Sequence, residues 1–308
     1  MPEVTIRAIR TNPWFRISSL LDSNFMSGLR ISAISFLNTA PLMWDFDHGD
    51  AAKNFEISYT VPSLCAAALA ANKADIGIIP AITYAEIPGL VILPNIAIAA
   101  KDHVRSILLI SRKPWEEVST VAADTSSRTS VALAQVLFAK FLGGPRQFTP
   151  HPPELDAMLA RHDAALLIGD PALVIASSKA QPYYLYDLAH EWRSRTGKPF
   201  VFAFWAVRLD ALSRLPKGVN LTNVFQQSRD HGLRPESVAT LANEWSQRLG
   251  LTAAEVTTYV TNNIHYYFDR ENHSGLQLFL QFSHELGLIS QIPELRFLGA
   301  VAFGKTKR

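Results

Sequence analysis

Cysteine is almost absent from this chain of 308 residues, since Cys65 is the only one. A disulfide bond within the chain is therefore excluded, and a reducing cytoplasm is the compartment we expect. Cys65 stands in a run of small residues, 65–68, which is typical of the inner face of a helix. Stability must then come from buried apolar cores, and the length of the chain predicts two lobes.

The chain also lacks a charge excess and a long apolar run. Lysine and arginine number 29 against 27 for aspartate and glutamate, a net charge of +2. Basic residues are nowhere interleaved with aromatic ones, so nucleic acid is not an expected partner. The nearest approach to a membrane span is 91–100, which Pro94 and Asn95 interrupt, whereas a span needs about 20 apolar residues. We expect no membrane partner either.

Patterns for metals and nucleotides are missing as well. His265 and His273 have no acid or histidine at ligand spacing, and the sequence contains no glycine-rich phosphate loop. The sequence therefore predicts neither a metal site nor a nucleotide cofactor.

The first residues, 1–28, do not fit a secretory signal. Arg7, Arg10 and Arg16 are followed by no sustained apolar stretch, and Met26 stands just before the first convincing strand. We expect this segment to be a poorly ordered extension.

After Gly28 the chain alternates between strand and helix patterns. This alternation predicts parallel sheets joined by right-handed crossovers. Beyond Asp210 the pattern becomes helical. The predicted strands are 29–35, 55–60, 74–79, 118–123, 147–149 and 165–168, and the predicted helices are 62–71, 129–142, 153–162, 219–231, 235–249, 253–268 and 275–286.

Two βαβ systems stand in series, and two apolar strands can join them. The strand 107–110 can carry the chain out of the first lobe, and 201–207 can carry it back. The layout resembles the bilobal periplasmic-binding-protein-like (type II) α/β fold, with two parallel-rich sheets, flanking helices and a central cleft. It predicts lobe I at 29–110 plus 205–308 and lobe II at 111–204.

Ligands of open α/β sheets bind at the carboxyl ends of the strands. Here those ends are 36–39, 80–84, 124–130 and 169–170. The segment 124–130 joins a strand to a long helix through small hydroxyl residues. Such a junction leaves backbone N–H groups for a carboxylate or phosphate. An ordinary Ser/Thr N-cap is the alternative interpretation.

The string from Ile34 to Leu42 resembles the N-terminal signature of the chorismate dehydratases of the futalosine route to menaquinone. The similarity continues, in the order of that family, from about Leu29 to Leu288. Phe36 departs from the family pattern by replacing a tyrosine, and Ala81 and Thr83 stand where a serine and an acid are expected. The further matching segments are 75–80 with Tyr84, 104–109, 126–130, 165–170 and 200–205.

The resemblance implies a carbon–oxygen lyase that eliminates water from chorismate, giving 3-[(1-carboxyvinyl)oxy]benzoate without a cofactor. Asn38 and Ser106 match the positions that the family uses in its chemistry. Asn38 would hold the substrate and stabilise developing charge, and Ser106 would assist the departing hydroxyl. Without the resemblance, Asn38 is interpreted as a turn residue and Ser106 as an incidental strand hydroxyl.

Chorismate carries two carboxylates, so recognition asks for two anion sites. The first is predicted at the N–H groups of Thr129 and Ser130. The second is predicted near Asn38 or Ser106, where the charge of Arg105 or Arg128 would attract the carboxylate. A solvated surface role is the alternative for both arginines. Asp170 is either a cleft acid or a helix N-cap. The predicted substrate-binding residues are Thr39, Tyr84, Arg105, Ser126, Arg128, Thr129, Ser130, Asp170 and Trp205.

The cleft segments contain no histidine, lysine or cysteine. The enolpyruvyl carboxylate of the substrate, which hangs from the carbon that loses its proton, is therefore a plausible base. Two other functions stay open: the related 1,4-dihydroxy-6-naphthoate synthase, and a non-catalytic cytoplasmic solute-binding or sensor protein. We expect a monomer or a homodimer.

Overall fold

The computed structural model describes residues 28–178 and 182–299. The extension predicted at the N-terminus lies outside these residues, apart from Gly28. Within them, no helix is long and apolar enough to cross a membrane.

The first sheet has five strands in the order β2-β1-β3-β10-β4. The strands β1, β2 and β3 run parallel, and β10 runs antiparallel to both of its neighbours. Every residue of β3 is buried, as expected for a strand covered on both faces. The strands are β1 (Leu29–Ile34), β2 (Phe55–Thr60), β3 (Ile76–Pro80), β4 (Leu90–Ala100) and β10 (Phe200–Arg208).

The second sheet repeats this plan in the order β7-β6-β8-β5-β9. The strands β6, β7 and β8 run parallel, and β5 runs antiparallel to β8 and β9. Each sheet therefore has a single reversed strand in its fourth position. The strands are β5 (Ile107–Ser111), β6 (Thr120–Asp124), β7 (Gln147–His151), β8 (Ala164–Ile168) and β9 (Tyr184–Asp187).

The chain enters the second lobe through β5 and returns to the first lobe through β10, and these are the two reversed strands. β5 belongs to the second sheet, and the whole of β10 belongs to the first. The lobe boundaries at 110/111 and 204/205 stay predictions, and they lie within β5 and β10. A reversed strand starts where its parallel neighbours end, so both strands begin beside the carboxyl ends of the others.

Helices cover the sheets and build the C-terminal part. They are α1 (Trp44–Asp47), α2 (Pro62–Ala70), α3 (Thr129–Phe141), α4 (Leu155–Leu159), α5 (Gly169–Ser177), α6 (Leu188–Thr196), α7 (Leu221–Gly232), α8 (Pro235–Leu249), α9 (Ala253–Thr258) and α10 (Arg270–Glu285). The 3₁₀ segments are Leu37–Met43, Ala51–Asn54, Ala81–Ala85, Trp115–Glu117 and Leu209–Arg214.

Two helix predictions differ from the structure. The helix expected at 253–268 is α at Ala253–Thr258 and then a π turn at Tyr259–Asn263. It ends there because the next residues pair with β4, where the N–H of His265 donates to the carbonyl of Ala99 at 2.8 Å. Tertiary pairing overrides the helical pattern. The helix expected to begin at Gly275 begins at Arg270, capped by the Asp269 carboxylate.

The main core is continuous between the lobes. It joins the first sheet to one face of the second, and a smaller cluster around Leu108, Met158 and Leu167 covers the other face. The two lobes are thus held together by shared apolar packing as well as by the two crossing segments.

Candidate functional site

A narrow cavity with a volume of about 40 Å³ lies between the lobes, where the carboxyl ends of the parallel strands meet. Most of its walls are apolar, and among the residues that line it the polar side chains are those of Asn38, Ser127, Arg128, Thr129 and Ser130. The apolar walls and the remaining backbone come from Ile34, Phe36, Pro62, Pro80, Ile98, Ile107, Ile168, Gly169, Phe202 and Ala203.

The polar wall of the second lobe is the turn between β6 and α3. The N-cap of α3 is Arg128, whose side chain makes no capping bond in the described structure. The alternative of an ordinary Ser/Thr N-cap is therefore wrong. Thr129 and Ser130 form the first turn, where backbone N–H groups have no partner inside the helix. This end of a 13-residue helix faces the cavity and favours an anion there.

Asp124 shapes this turn from behind. One carboxylate oxygen accepts from the backbone N–H of Ser126 at 2.8 Å and from its hydroxyl at 2.6 Å. The other accepts from the N–H of Ile168 at 3.2 Å. Burial raises the pKa of the Asp124 carboxyl, against these hydrogen bonds. The Ser126 hydroxyl is used inside the turn, and Ser127, which the sequence prediction omitted, faces the cavity instead.

Several hydrogen bonds join the two lobes around the cavity. The Thr129 hydroxyl accepts from the N–H of Ile82 at 3.3 Å, and the carbonyl of Ser126 accepts from the N–H of Ser63 at 3.0 Å. The guanidinium of Arg128 pairs with the carboxylate of Glu86 at 3.1 Å. These bonds hold the two lobes in contact around the cavity.

Asp170 makes another of these bridges. It is the second residue of α5, and its carboxylate accepts from the N–H of Leu37 at 2.9 Å. The N-cap of α5 is Ile168, so the N-cap interpretation of Asp170 is wrong. Burial raises the pKa of Asp170 to about 6. Its carboxylate acts at the lobe boundary but is not part of the cavity wall.

Asn38 and Ser106 come together through a third residue, Tyr259. The Tyr259 hydroxyl donates to the Ser106 hydroxyl at 2.7 Å, and Asn38 lies near enough to the tyrosine to lower its pKa against the effect of burial. The Thr39 hydroxyl donates to the amide oxygen of Asn38 at 3.2 Å. All four side chains are buried. Tyr259 was not predicted, because it is far away in the sequence and stands in an ordinary helical pattern.

Of the nine predicted binding residues, only Arg128, Thr129 and Ser130 line the cavity, and the predicted catalytic Ser106 does not line it either. Besides Thr39, Ser126 and Asp170, the residues outside it are Tyr84, Arg105 and Trp205. The Tyr84 hydroxyl donates to the carbonyl of Leu90 and accepts from the N–H of Arg296, both at 3.2 Å. The guanidinium of Arg105 donates to the Ser177 hydroxyl at 3.1 Å. The Trp205 ring is fully buried in the first-lobe core. The structure gives these three side chains internal contacts.

A second, wider cavity of about 340 Å³ lies beyond the same turn. Ser127 and Arg128 separate it from the first cavity, because both residues line both spaces. Its wall includes the carboxylates of Glu86 and Asp124, whereas no carboxylate lines the first cavity. The carboxylates make the second cavity the less favourable of the two for an anion, although it is the larger.

One group in the described ranges brings metal-ligand atoms together: Asp102, His103 and His190, within 4.8 Å of one another. They lie where the chain crosses between the lobes, outside both cavities. His190 hydrogen-bonds Asp102 at 2.7 Å, and the two imidazole rings stack with centroids 4.0 Å apart. An ion pair and ring stacking account for this arrangement.

Comparison with known proteins identifies a family model that matches this chain and proteins that are similar to it. A family model described as menaquinone biosynthesis matches residues 29–285. A chorismate dehydratase from Thermus thermophilus is 26% identical over 261 residues, which cover 80% of this chain and 92% of that protein.

Similar solved structures fix the fold. A protein from Archaeoglobus fulgidus has a TM-score of 0.65 at 15% identity, covering 85% of this chain and 98% of its own. The periplasmic aliphatic sulphonate-binding protein from Escherichia coli has a TM-score of 0.57 at 16% identity, covering 86% and 94%. The predicted periplasmic-binding-protein-like fold is confirmed.

Proposed function

This chain belongs to the menaquinone-biosynthesis family, and we propose that it is a chorismate dehydratase, which eliminates water from chorismate to give 3-[(1-carboxyvinyl)oxy]benzoate. The relative from Thermus thermophilus carries that name, and it is similar to this chain along most of both sequences. As a biosynthetic enzyme with one buried thiol, the protein would work in the cytoplasm.

The observation that carries the proposal is the cavity between the lobes, with Asn38 on one wall and the start of α3 on the other. Chorismate has an apolar ring with two carboxylates, and the cavity combines apolar walls with a helix N-terminus and one arginine. The turn at 127–130 would hold one carboxylate. Arg128 would neutralise part of the dianion, since its pair with Glu86 is half-exposed and exchangeable.

In the proposed reaction the ring C–H bond and the neighbouring C–O bond break, and their loss forms the double bond that completes the aromatic ring. The enolpyruvyl carboxylate accepts the ring proton, and the hydroxide leaves with its bonding pair and takes that proton as water. No protein group changes its net protonation. Intramolecular placement of the base supplies up to about 7–11 kcal/mol of the barrier reduction.

In this mechanism the role of the protein is to bind the substrate and to orient it. Asn38 would donate to the oxygen on which negative charge develops, and the hydroxyl of Ser106 would hydrogen-bond the departing oxygen. Asp170 is the competing candidate for the base, because its raised pKa suits proton abstraction. Its carboxylate is already hydrogen-bonded to the backbone N–H of Leu37, which favours the substrate carboxylate as the base.

The test is incubation of the purified chain with chorismate after treatment with a chelator, followed by chromatography. We expect 3-[(1-carboxyvinyl)oxy]benzoate and loss of chorismate. Activity that disappears and returns only with added metal would contradict the cofactor-free mechanism. Chorismate that binds tightly and is recovered unaltered would favour a sensor or solute-binding protein, whose fold this chain shares. If the chain neither binds nor converts chorismate, the related 1,4-dihydroxy-6-naphthoate synthase reaction is the one to assay next.

A further inference from the structure

Tyr259 occupies an unusual place in the chain. It is the first residue of the π turn Tyr259–Asn263, in which the N–H of Ile264 donates to the carbonyl of Tyr259 at 3.2 Å. Single π turns inside helices are frequent at functional sites. The side chain is fully buried, and it reaches from the C-terminal part of the first lobe to the residue that precedes β5.

The hydrogen bonds around Tyr259 have a defined direction. The Thr39 hydroxyl donates to the amide oxygen of Asn38 at 3.2 Å, and Asn38 acts to lower the pKa of the nearby Tyr259. Tyr259 in turn donates to Ser106 at 2.7 Å. Burial raises the pKa of Tyr259 far above its usual value, so the phenol keeps its proton and stays a donor.

This direction determines what Ser106 can do. A serine hydroxyl has one proton and two lone pairs, and Tyr259 occupies one lone pair. Among the described residues, Ser106 makes no other side-chain hydrogen bond; its side chain is fully buried, and the next residue, Ile107, lines the cavity. Successive donors in a buried chain polarise one another, which makes the last hydroxyl a stronger donor.

We propose that Tyr259 is a positioning residue, which fixes the orientation of the Ser106 hydroxyl through their hydrogen bond and so sets how that hydroxyl acts on the departing oxygen. The inference rests on the proposed dehydratase function and deepens it. Tyr259 itself touches no substrate atom, so its effect must pass through Ser106.

The experiment compares the wild type with Tyr259→Phe, which removes the hydroxyl and keeps the ring packing. Tyr266→Phe is the matched control, because Tyr266 is equally buried and its hydroxyl has no partner within the described structure. We expect kcat for chorismate to fall by about 10-fold or more in Tyr259→Phe, with KM changed less than about twofold, because the lost bond acts only where charge develops. Tyr266→Phe should keep the wild-type kcat.

A double-mutant cycle with Ser106→Ala separates positioning from simple support of the fold. In the Ser106→Ala background, Tyr259→Phe should produce no further loss of kcat, because the group through which it acts is gone. Thermal midpoints of all variants are measured in parallel. A variant with 3-fluorotyrosine at position 259 keeps the hydroxyl and the packing, and it should keep at least half of the wild-type kcat.

The outcomes are distinct. A wild type that does not convert chorismate would overturn both the function and this inference. An active wild type with undiminished kcat in Tyr259→Phe would overturn the inference alone. So would equal losses in the wild-type and Ser106→Ala backgrounds, or a fluorotyrosine variant below half of the wild-type kcat.

Discussion

The carboxylate of Asp170 accepts a hydrogen bond of 2.9 Å from the backbone N–H of Leu37, and this bond joins the second lobe to the first. The bond therefore links the protonation state of one buried carboxyl to the contact between the two lobes. Burial raises the pKa of Asp170 to about 6, although the hydrogen bond from Leu37 acts in the opposite direction. Desolvation of the charged form is therefore the larger effect.

Asp170→Asn should change how stability depends on pH. The folded protein protonates Asp170 near pH 6 and the unfolded chain near pH 4, so this group makes the free energy of unfolding increase as pH falls through that window. The two-unit difference corresponds to about 3 kcal/mol. Urea unfolding of both proteins at pH 4.5 and pH 7 measures it, and we expect Asp170→Asn to lose this gain. Parallel pH dependence of the two proteins would contradict the assignment.

The same variant tests the proposed base. If the substrate carboxylate takes the ring proton, Asp170→Asn should keep kcat within about threefold of the wild type, because only a positioning contact is changed. A loss of several orders of magnitude in kcat at unchanged stability would identify Asp170 as the proton acceptor instead.

Gly169→Ala should impair closure of the lobes. Gly169 has φ +67°, and a Cβ there would lie 2.6 Å from the ring of Phe36 in the opposite lobe. Gly197→Ala is the control, because φ is +70° and nothing lies within 4 Å. In both variants an alanine must adopt a left-handed backbone conformation, which costs about 1–2 kcal/mol. Only in Gly169→Ala does the new methyl group also clash with a residue of the other lobe. We expect KM for chorismate to increase about 10-fold or more in that variant, with a larger radius of gyration in X-ray scattering. Equal KM values for the two variants would contradict this.

Asn38→Ala and Ser106→Ala should reduce turnover far more than substrate binding. Each group is proposed to act where charge develops, and loss of such a donor costs about 10²–10³ in kcat. The control is Ser32→Ala, since the Ser32 hydroxyl is equally buried and contacts the sulfur of Cys65 at 3.3 Å, away from the cavity. Steady-state kinetics separate the parameters. An increased KM with unchanged kcat would make both residues substrate ligands only.

Arg128→Met should weaken binding of the dianion. Arg128 lines the cavity and pairs with Glu86, and both side chains are about half exposed, at 53% and 43%. Its removal should alter stability by less than about 1 kcal/mol. We expect KM to increase, and the salt dependence of KM to become weaker, because a screened charge has been removed. Glu86→Gln, which frees the arginine, should not increase KM. An increase in both variants would assign the pair a structural role.

The sequence by itself determined the features that depend on neighbouring residues. Alternating strand and helix patterns gave two parallel-rich lobes, since each pattern follows from the period of apolar residues. The hydroxyl-rich turn before Thr129 was found because a strand-to-helix junction leaves donors unpaired wherever it occurs. The string 34–42 gave the family, and with it Asn38.

The tertiary structure decided which residues share a space. Tyr259 meets Ser106 across 153 positions of sequence, and Asp170 meets Leu37 across 133. Local periodicity carries no information on such distant pairs. Arg105 and Trp205 lie within matched segments, yet their side chains have internal contacts: Arg105 lies in the crossing segment before β5 and bonds Ser177, and the Trp205 ring packs against Phe225 in the first-lobe core. Sheet pairing likewise ended the helix predicted at 253–268, since backbone groups of that segment were needed by β4.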